Sequence, residues 1–538
     1  MAASKTTHDL VPVDGLVRMV RDGRITRRGF LARAAGLLGS VAAAEGLLAR
    51  VVGAQAASKN TLVIGQSSDI SKFDPHMSTT VNDIAITFNL FDNLLSRHRD
   101  GKLYPSLAEE WKLVNPTTWQ FKLRPNVKFH NGDPFTAADV KFSYERSYDP
   151  NARTNVKSVL NTIDRIETPE SLTVNVITKK PDPLFAARTT YYAGQIMPKG
   201  YFERVGADEF NAKPIGTGPV KLASWVKDDR LILDANRDYW GGKIDVEQII
   251  FRPLPELAPR LAALLKGEVD IITKIPPDQV DQVAKGPNTK IEGVLYGGLY
   301  ALAVCSQKPP LDSKPFRQAM SLAINRELIV KELWRGQAAV PNSVVVKGDN
   351  HWDSTLPPLP YDPDKAKRLL KEANYKGEEL TLETPIGFLV MDREMSEVVI
   401  AMWKDVGINA KMEQLEYSVY LQKIREKNFK GVRWTDPTSA YNDPDGMMWR
   451  LLAPGGAWAY WFRHPRFDEL GEAARYSVDE KFRDAAYKEM VRIELEFVPT
   501  IMVIQPMELY GLQKYVDWKP YANQMMEFRR FNLKLNRA

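Results

Sequence analysis

The densest mixture of chemical groups in this chain is Arg433-Trp434-Thr435-Asp436, where a cation, an indole, a hydroxyl and a carboxylate follow one another. The run begins just after Gly431, a strand start, and ends at the turn signal Pro437. Trp434 can stack on a bound molecule or pack a core. Asp436 can face a ligand or cap the turn it forms with Pro437. A second aromatic group, Trp458, Tyr460, Trp461 and Phe462, follows Gly455-Gly456 and either flanks a cleft or packs a loop. Ser67, Ser68 and Asp69 follow the first apolar run, at the strand end where open α/β sheets place ligands. Tyr191-Tyr192 is a further aromatic candidate. Asp443 and Asp445 flank Pro444. A glycosidase pair comes from separate elements several ångströms apart, so these two read as a solvated turn.

No catalytic constellation accompanies them. The single cysteine, Cys305, allows no intrachain disulfide and no thiolate zinc site. None of the six histidines lies three to five residues from another, so no histidine-pair metal motif exists and no metal or cofactor is expected. Lys221 breaks a dinucleotide-type glycine pattern after Gly216 and Gly218. Ile244 after Gly242-Lys243 excludes a phosphate loop, and no serine sits in a G-x-S-x-G elbow. The net charge of +6 is concentrated at the start, since residues 1–56 carry eight basic and four acidic side chains. The rest carries 65 and 63, so nucleic acid is not an expected partner.

Residues 1–56 read as an address. Thr26-Arg27-Arg28-Gly29-Phe30-Leu31 is similar to the twin-arginine export motif, with Ala32 where a polar residue is usual. A charge-free run over 34–44 suits a signal peptide and is too short to span a bilayer of about 30 Å. Ala54-Gln55-Ala56 is a small-x-small cleavage site. No cysteine is near it for acylation.

Behind that segment, elements of α/β type must position the candidates. Leu62-Val63-Ile64 reads as a buried strand, and Trp119, Phe121 and Leu123 alternate as a half-buried one, as does 172–176. Thr136 three residues before Asp139 predicts a capped helix with Val140, Tyr144 and Ser147 on one face. Pro315 opens a helix with a stripe of Phe316, Ala319, Met320, Ala323 and Ile324. Asp362-Pro363 opens another with Ala366, Leu369, Leu370 and Ala373. With 44% apolar and 26% charged residues, the composition is that of an ordinary globular chain of several domains.

Several stretches, in order, resemble the dipeptide- and oligopeptide-binding family of extracytoplasmic solute-binding proteins. They are YPSLAEEW (104–111), FKLRPNVKFHNGDPFTAADVKFSYER (121–146), PIGTGP (214–219), NRDYWG (236–241), KGEVD (266–270), PFRQA (315–319) and YDPDKA (361–366). The resemblance implies an α/β, bilobal periplasmic-binding-protein fold with an extra subdomain and a hinge between the lobes. Lobe I is then 57–97, 211–303 and 504–538, the extra subdomain 98–210, and lobe II 304–503. It implies a non-enzymatic, monomeric periplasmic receptor that hands a small solute, most simply a short peptide, to an ABC permease, after export by the twin-arginine translocase. Other cargoes on the same fold are an oligosaccharide, an opine-like conjugate or a metal chelate; a hydrolase and a non-transport role, such as a chaperone or a sensor partner, are the remaining alternatives. In peptide-binding relatives an aspartate in the region of Asp436 anchors the ligand's α-ammonium group. Phe73-Asp74-Pro75-His76 resembles a stretch that approaches the cleft. The expected ligand-contacting set is thus Asp436, Trp434, Arg433, Thr435, Ser67, Ser68, His76, Tyr192 and Trp458.

Overall fold

The computed structural model describes residue 16 and residues 27–38, 60–78, 80–385, 387–456, 458 and 461–537. Arg27–Leu38 is helical. The remainder of the export segment, including the cleavage site at 54–56, lies outside the described residues, apart from residue 16. Among the described residues no helix is long and apolar enough to cross a membrane.

A twelve-stranded sheet runs through the molecule. In chain order its strands are β1 (Thr61–Gln66), β2 (Val220–Val226), β3 (Arg230–Ala235), β4 (Gln248–Pro253), β5 (Ile271–Ile272), β6 (Thr289–Leu295), β7 (Tyr300–Val304), β8 (Ala338–Ala339), β9 (Leu380–Pro385), β10 (Ala410–Leu415), β11 (Val432–Thr435) and β12 (Thr500–Gln513). The spatial order is β10-β9-β11-β7-β12-β5-β1-β4-β3-β2, with β6 and β8 also on β12. β1 is parallel to β4 and β5 and fully buried, as its unbroken apolar run requires.

β12 makes this sheet bilobal. Its first half pairs with β7 and packs Ile501, Val503 and Ile504 into one core. Its second half pairs with β5 and β6 and packs Tyr510 and Leu512 into another. The chain crosses between the same two bodies once more, in the link from β6 to β7, where a bulge falls at Tyr300/Ala301. The two crossings are tied together: Gln505 Nε2 donates to the Tyr296 carbonyl at 2.7 Å and Tyr296 N–H to the Pro506 carbonyl at 2.9 Å. Two adjacent extended links form a hinge, able to absorb a rotation of one lobe against the other.

The extra subdomain has its own core around Phe121, Val140, Tyr144 and Val174, under an antiparallel sheet of four strands. Its helix Ala137–Tyr148 begins with the expected Thr136–Asp139 capping box. The helix opened by Pro315 ends at Leu322, so Ala323 and Ile324 are buried just beyond it. The PIGTGP turn works by close approach: a Cβ on Gly216 would collide with the Leu90 carbonyl, and one on Gly218 with that of Asn89. His130 of the FKLRPNVKFH block accepts from Gly216 N–H at 3.2 Å and sits 3.0 Å from the Gly218 carbonyl, fastening the subdomain to lobe I.

Candidate functional site

A cavity of about 670 Å³ lies between the lobes and is walled by both. Lobe I and the subdomain supply Ser67, Ser68, Asn82, Tyr191, Tyr192, Lys274, Glu508 and Gln524; lobe II supplies Phe388, Tyr417, Tyr420, Arg433, Thr435, Asp436, Arg450 and Trp458. This is the size range of small-molecule sites.

Each group arrives there for a local reason. β11 is extended, so alternate side chains face opposite ways. Arg433 and Thr435 therefore share the cavity face, and Asp436 follows where the strand ends. The same alternation removes Trp434: it is 0% exposed, sits in the lobe II core, and donates from Nε1 to Ser396 Oγ at 2.7 Å. The expectation that Trp434 lines the cleft is corrected on this point. His76 is corrected likewise. It is wholly buried behind the pair that Arg146 makes with Asp74 at 2.6 and 3.1 Å, and burial, then Arg146, lowers it to about 4. Ser67 and Ser68 do line the cavity, beside Asn82 Nδ2, whereas Asp69 is turned inward to Trp225 Nε1 and Asp228 N–H. Tyr192 and Trp458 also line it. Tyr460 lies outside the described residues. Phe462 packs in the lobe II core.

Asp443 and Asp445 do form a turn, but it is not solvated. Each carboxylate is at most 1% exposed and meets an arginine at 2.7 Å, Arg483 for Asp443 and Arg188 for Asp445.

The cavity's charges are poorly compensated from within. Burial raises Asp436 to about 7, against an opposing influence from Lys274. Burial lowers Lys274, opposed by Glu508 and Asp436. Burial raises Glu508, opposed by a hydrogen bond from Gln524 Nε2 at 2.5 Å and by Lys274. Lys274 and Gln524 both hold left-handed backbone, φ 57° and 63°, a region that side chains other than glycine rarely adopt and that gathers at binding sites. Sequence reasoning missed Lys274, Glu508, Gln524 and Arg450. Lys274 carried a usable signal, since it follows the short strand Ile271–Ile272 at the strand end where ligands bind. Glu508 carried another, as a carboxylate inside the otherwise uncharged run of β12. Among the described residues no group of His, Cys, Asp and Glu could hold a metal ion.

Known proteins share this architecture. The profile described as bacterial extracellular solute-binding proteins, family 5 (middle) matches residues 102–459. A di/tripeptide-binding protein of Pseudomonas aeruginosa is 28% identical over 486 residues, covering 83% of this chain and 88% of its own. The periplasmic oligopeptide-binding protein of Salmonella typhimurium is 26% identical over 506 residues, covering 86% and 90%. The ABC transporter-associated periplasmic binding protein of Helicobacter pylori, solved with the peptide STSA, superposes with a TM-score of 0.80 at 25% identity, covering 90% of this chain and all of that one. With the profile spanning most of the chain and a two-lobed cleft at its centre, the chain belongs to the family 5 bacterial extracellular solute-binding proteins, the receptors of ABC importers.

Proposed function

We propose that this protein captures short peptides in the periplasm and presents them, unaltered, to an ABC permease. The supporting observation is Asp436: a half-buried carboxylate facing the interlobe cavity, three residues from Arg433, with Lys274 and Glu508 on the opposite lobe. A peptide brings an ammonium group, a carboxylate and amides to such a mixture, and the rings of Phe388, Tyr417 and Tyr420 offer apolar walls for its side chains. Contacts made from both lobes exist only when the cleft is shut, so the cargo favours the closed form. In this reading lobe I comprises 57–97, 211–303 and 504–538, lobe II 304–503, and 98–210 the extra subdomain. The receptor works as a monomer and leaves the cytoplasm through the twin-arginine translocase.

Native mass spectrometry of protein purified without denaturation tests the cargo. A ladder of peptide masses is expected; a single oligosaccharide, opine-like conjugate or metal chelate would overturn the peptide reading. Lysine at both Arg27 and Arg28 should stop export. Normal periplasmic accumulation of that variant would point to another route.

A further inference from the structure

Two charges of opposite sign stand on the lobe I wall of the cavity without meeting. They belong to Lys274 and Glu508, which both line it. The backbone sets them side by side. β5 runs antiparallel to β12, and beyond it Ile275 N–H donates to the Leu509 carbonyl at 3.1 Å, so the residue after Lys274 is tied to the residue after Glu508. Each charge feels the other: Glu508 opposes the lowering of Lys274, and Lys274 the raising of Glu508. Yet among the described residues no hydrogen bond or ion pair joins them, and Lys274 Nζ has no acceptor. Glu508 Oε1 is taken by Gln524 Nε2 at 2.5 Å, and no donor among the described residues reaches Oε2. Elsewhere along these strands lobe I closes its pairs: Lys519 Nζ meets Glu292 of β6 at 2.7 Å, and Arg537 Nη2 meets Asp270, just before β5, at 3.0 Å.

The split pair constrains what the cargo can place against this wall. A buried charge without a partner is unfavourable, and cargo that shuts the cleft strips water from both groups. Asp436, which also opposes the lowering of Lys274, is committed in the peptide reading to the cargo's own ammonium group. A cationic side chain drawn to Glu508 is repelled by Lys274. An anionic one drawn to Lys274 is repelled by Glu508, and an apolar one answers neither. A primary carboxamide is uncharged and carries an acceptor oxygen and a two-donor nitrogen on one carbon. It can accept from Lys274 and donate to Glu508 at once. A wall built this way rejects a side chain lacking either half, because its own polar groups would be left unpaired.

Resting on the peptide reading above, we propose that Lys274 and Glu508 form a specificity clamp for a carboxamide side chain of the cargo, Gln or Asn, whose oxygen accepts from Lys274 Nζ and whose nitrogen donates to Glu508 Oε2. Gln524, held in left-handed backbone, keeps the other carboxylate oxygen occupied and so fixes the direction in which Glu508 accepts.

The test is competitive retention of three tripeptide pools, Xaa-Ala-Ala, Ala-Xaa-Ala and Ala-Ala-Xaa, in which Xaa is Gln, Glu, Lys or Met. Retained peptides are released and identified by liquid chromatography with mass spectrometry. In one of the pools wild-type protein should retain Gln over each of the other three by about tenfold or more. Lys274→Met leaves the carboxylate alone and should move that preference to Lys. Glu508→Gln leaves the ammonium alone and should move it to Glu. The two variants are thus expected to shift in opposite directions, and either decides by itself should the other fail to fold. Wild-type protein that retains peptides without favouring Gln in any pool would overturn the clamp and leave the peptide reading intact, as would a Gln preference that a folded variant keeps unchanged. Retention of no peptide by wild-type protein would instead sink the peptide reading, and the clamp with it.

Discussion

Arg188 Nη2 meets Asp445 Oδ2 at 2.7 Å across the boundary between the extra subdomain and lobe II, with both side chains about 1% exposed. The Tyr441 hydroxyl donates to the same carboxylate oxygen, and Asp182 holds the other edge of the guanidinium at 3.1 Å. Arg97 of lobe I reaches into the same strip, donating to Asn442 Oδ1 at 2.9 Å and Thr190 Oγ1 at 2.8 Å. Opening of the cleft must either break these bonds or carry segment 440–445 with the subdomain. Arg188→Ala leaves buried carboxylates without their main partner, a change that typically costs about 3–5 kcal/mol. Urea unfolding should show that loss. Burial raises the Asp445 carboxyl, but Arg188 and Arg475 outweigh it and hold it below its ordinary value. Its contribution is therefore present above the unfolded-state value and lost as pH falls through the folded one. The gap between wild type and Asp445→Asn should narrow in acid; a constant gap down to the acid transition would refute this.

On the peptide reading, Asp436 should make cargo binding pH-dependent. At about 7 in the empty cleft, the carboxyl is largely protonated below neutrality, and only the ionised form anchors an ammonium. A bound ammonium lowers that value, so binding releases a proton. Affinity for peptide should rise by up to about tenfold per pH unit toward pH 7 and then level off. The groups facing it are Lys274, Glu508 and Arg433. Asp436→Asn should weaken binding by roughly 10- to 150-fold at pH 8, from the loss of a charge-assisted bond of about 1.5–3 kcal/mol, and flatten the profile. Calorimetry from pH 5.5 to 8 measures both; a profile identical in the variant would assign the titration to Glu508 instead.

Trp434 and Trp458 separate packing from contact. Trp434→Ala opens a hole in the lobe II core and abandons the Ser396 hydroxyl, for an expected loss of about 3–5 kcal/mol in stability. Trp458→Ala, on the cavity wall, should chiefly weaken cargo retention. Unfolding curves beside peptide titrations distinguish the two. Equal effects of both variants on both readouts would contradict the division of roles.

The elements were legible where local chemistry decides them. Thr136 and Asp139 form their capping box, and Leu62-Val63-Ile64 lies in a parallel strand buried on both faces. At the site, the segment was found but not the orientation of its side chains. Arg433, Thr435 and Asp436 face the cavity while Trp434 does not, because strand period two splits neighbours between faces. His76 follows the Asp74-Pro75 turn, but Arg146, 70 residues on, decides that the ring is covered. Lys274 and Glu508 come near Asp436 only across the two lobes, and no local pattern encodes the nearness of residues so far apart in the chain. Asp443 and Asp445 read as a wet turn because Arg188 and Arg483, which neutralise them, are distant in sequence.

Glu494 offers a test of stability that leaves the cleft untouched. It lies on the helix Glu480–Phe497, 1% exposed, with neither carboxylate oxygen in good geometry to a donor. Burial raises it to about 8, partly offset by the Thr500 hydroxyl. The unfolded chain ionises this group near its ordinary value, so between about 4.5 and 8 the folded state binds the extra proton. Stability from this residue is intact below the lower value and declines as pH rises through the window, by at most about 1.4 kcal/mol per unit. Glu494→Gln keeps the shape and removes the titration. It should match wild type near pH 5 and exceed it at pH 8 and above in urea midpoint, with m unchanged. Parallel curves for the two proteins across that range would show that Glu494 enters the folded state ionised and has found a partner.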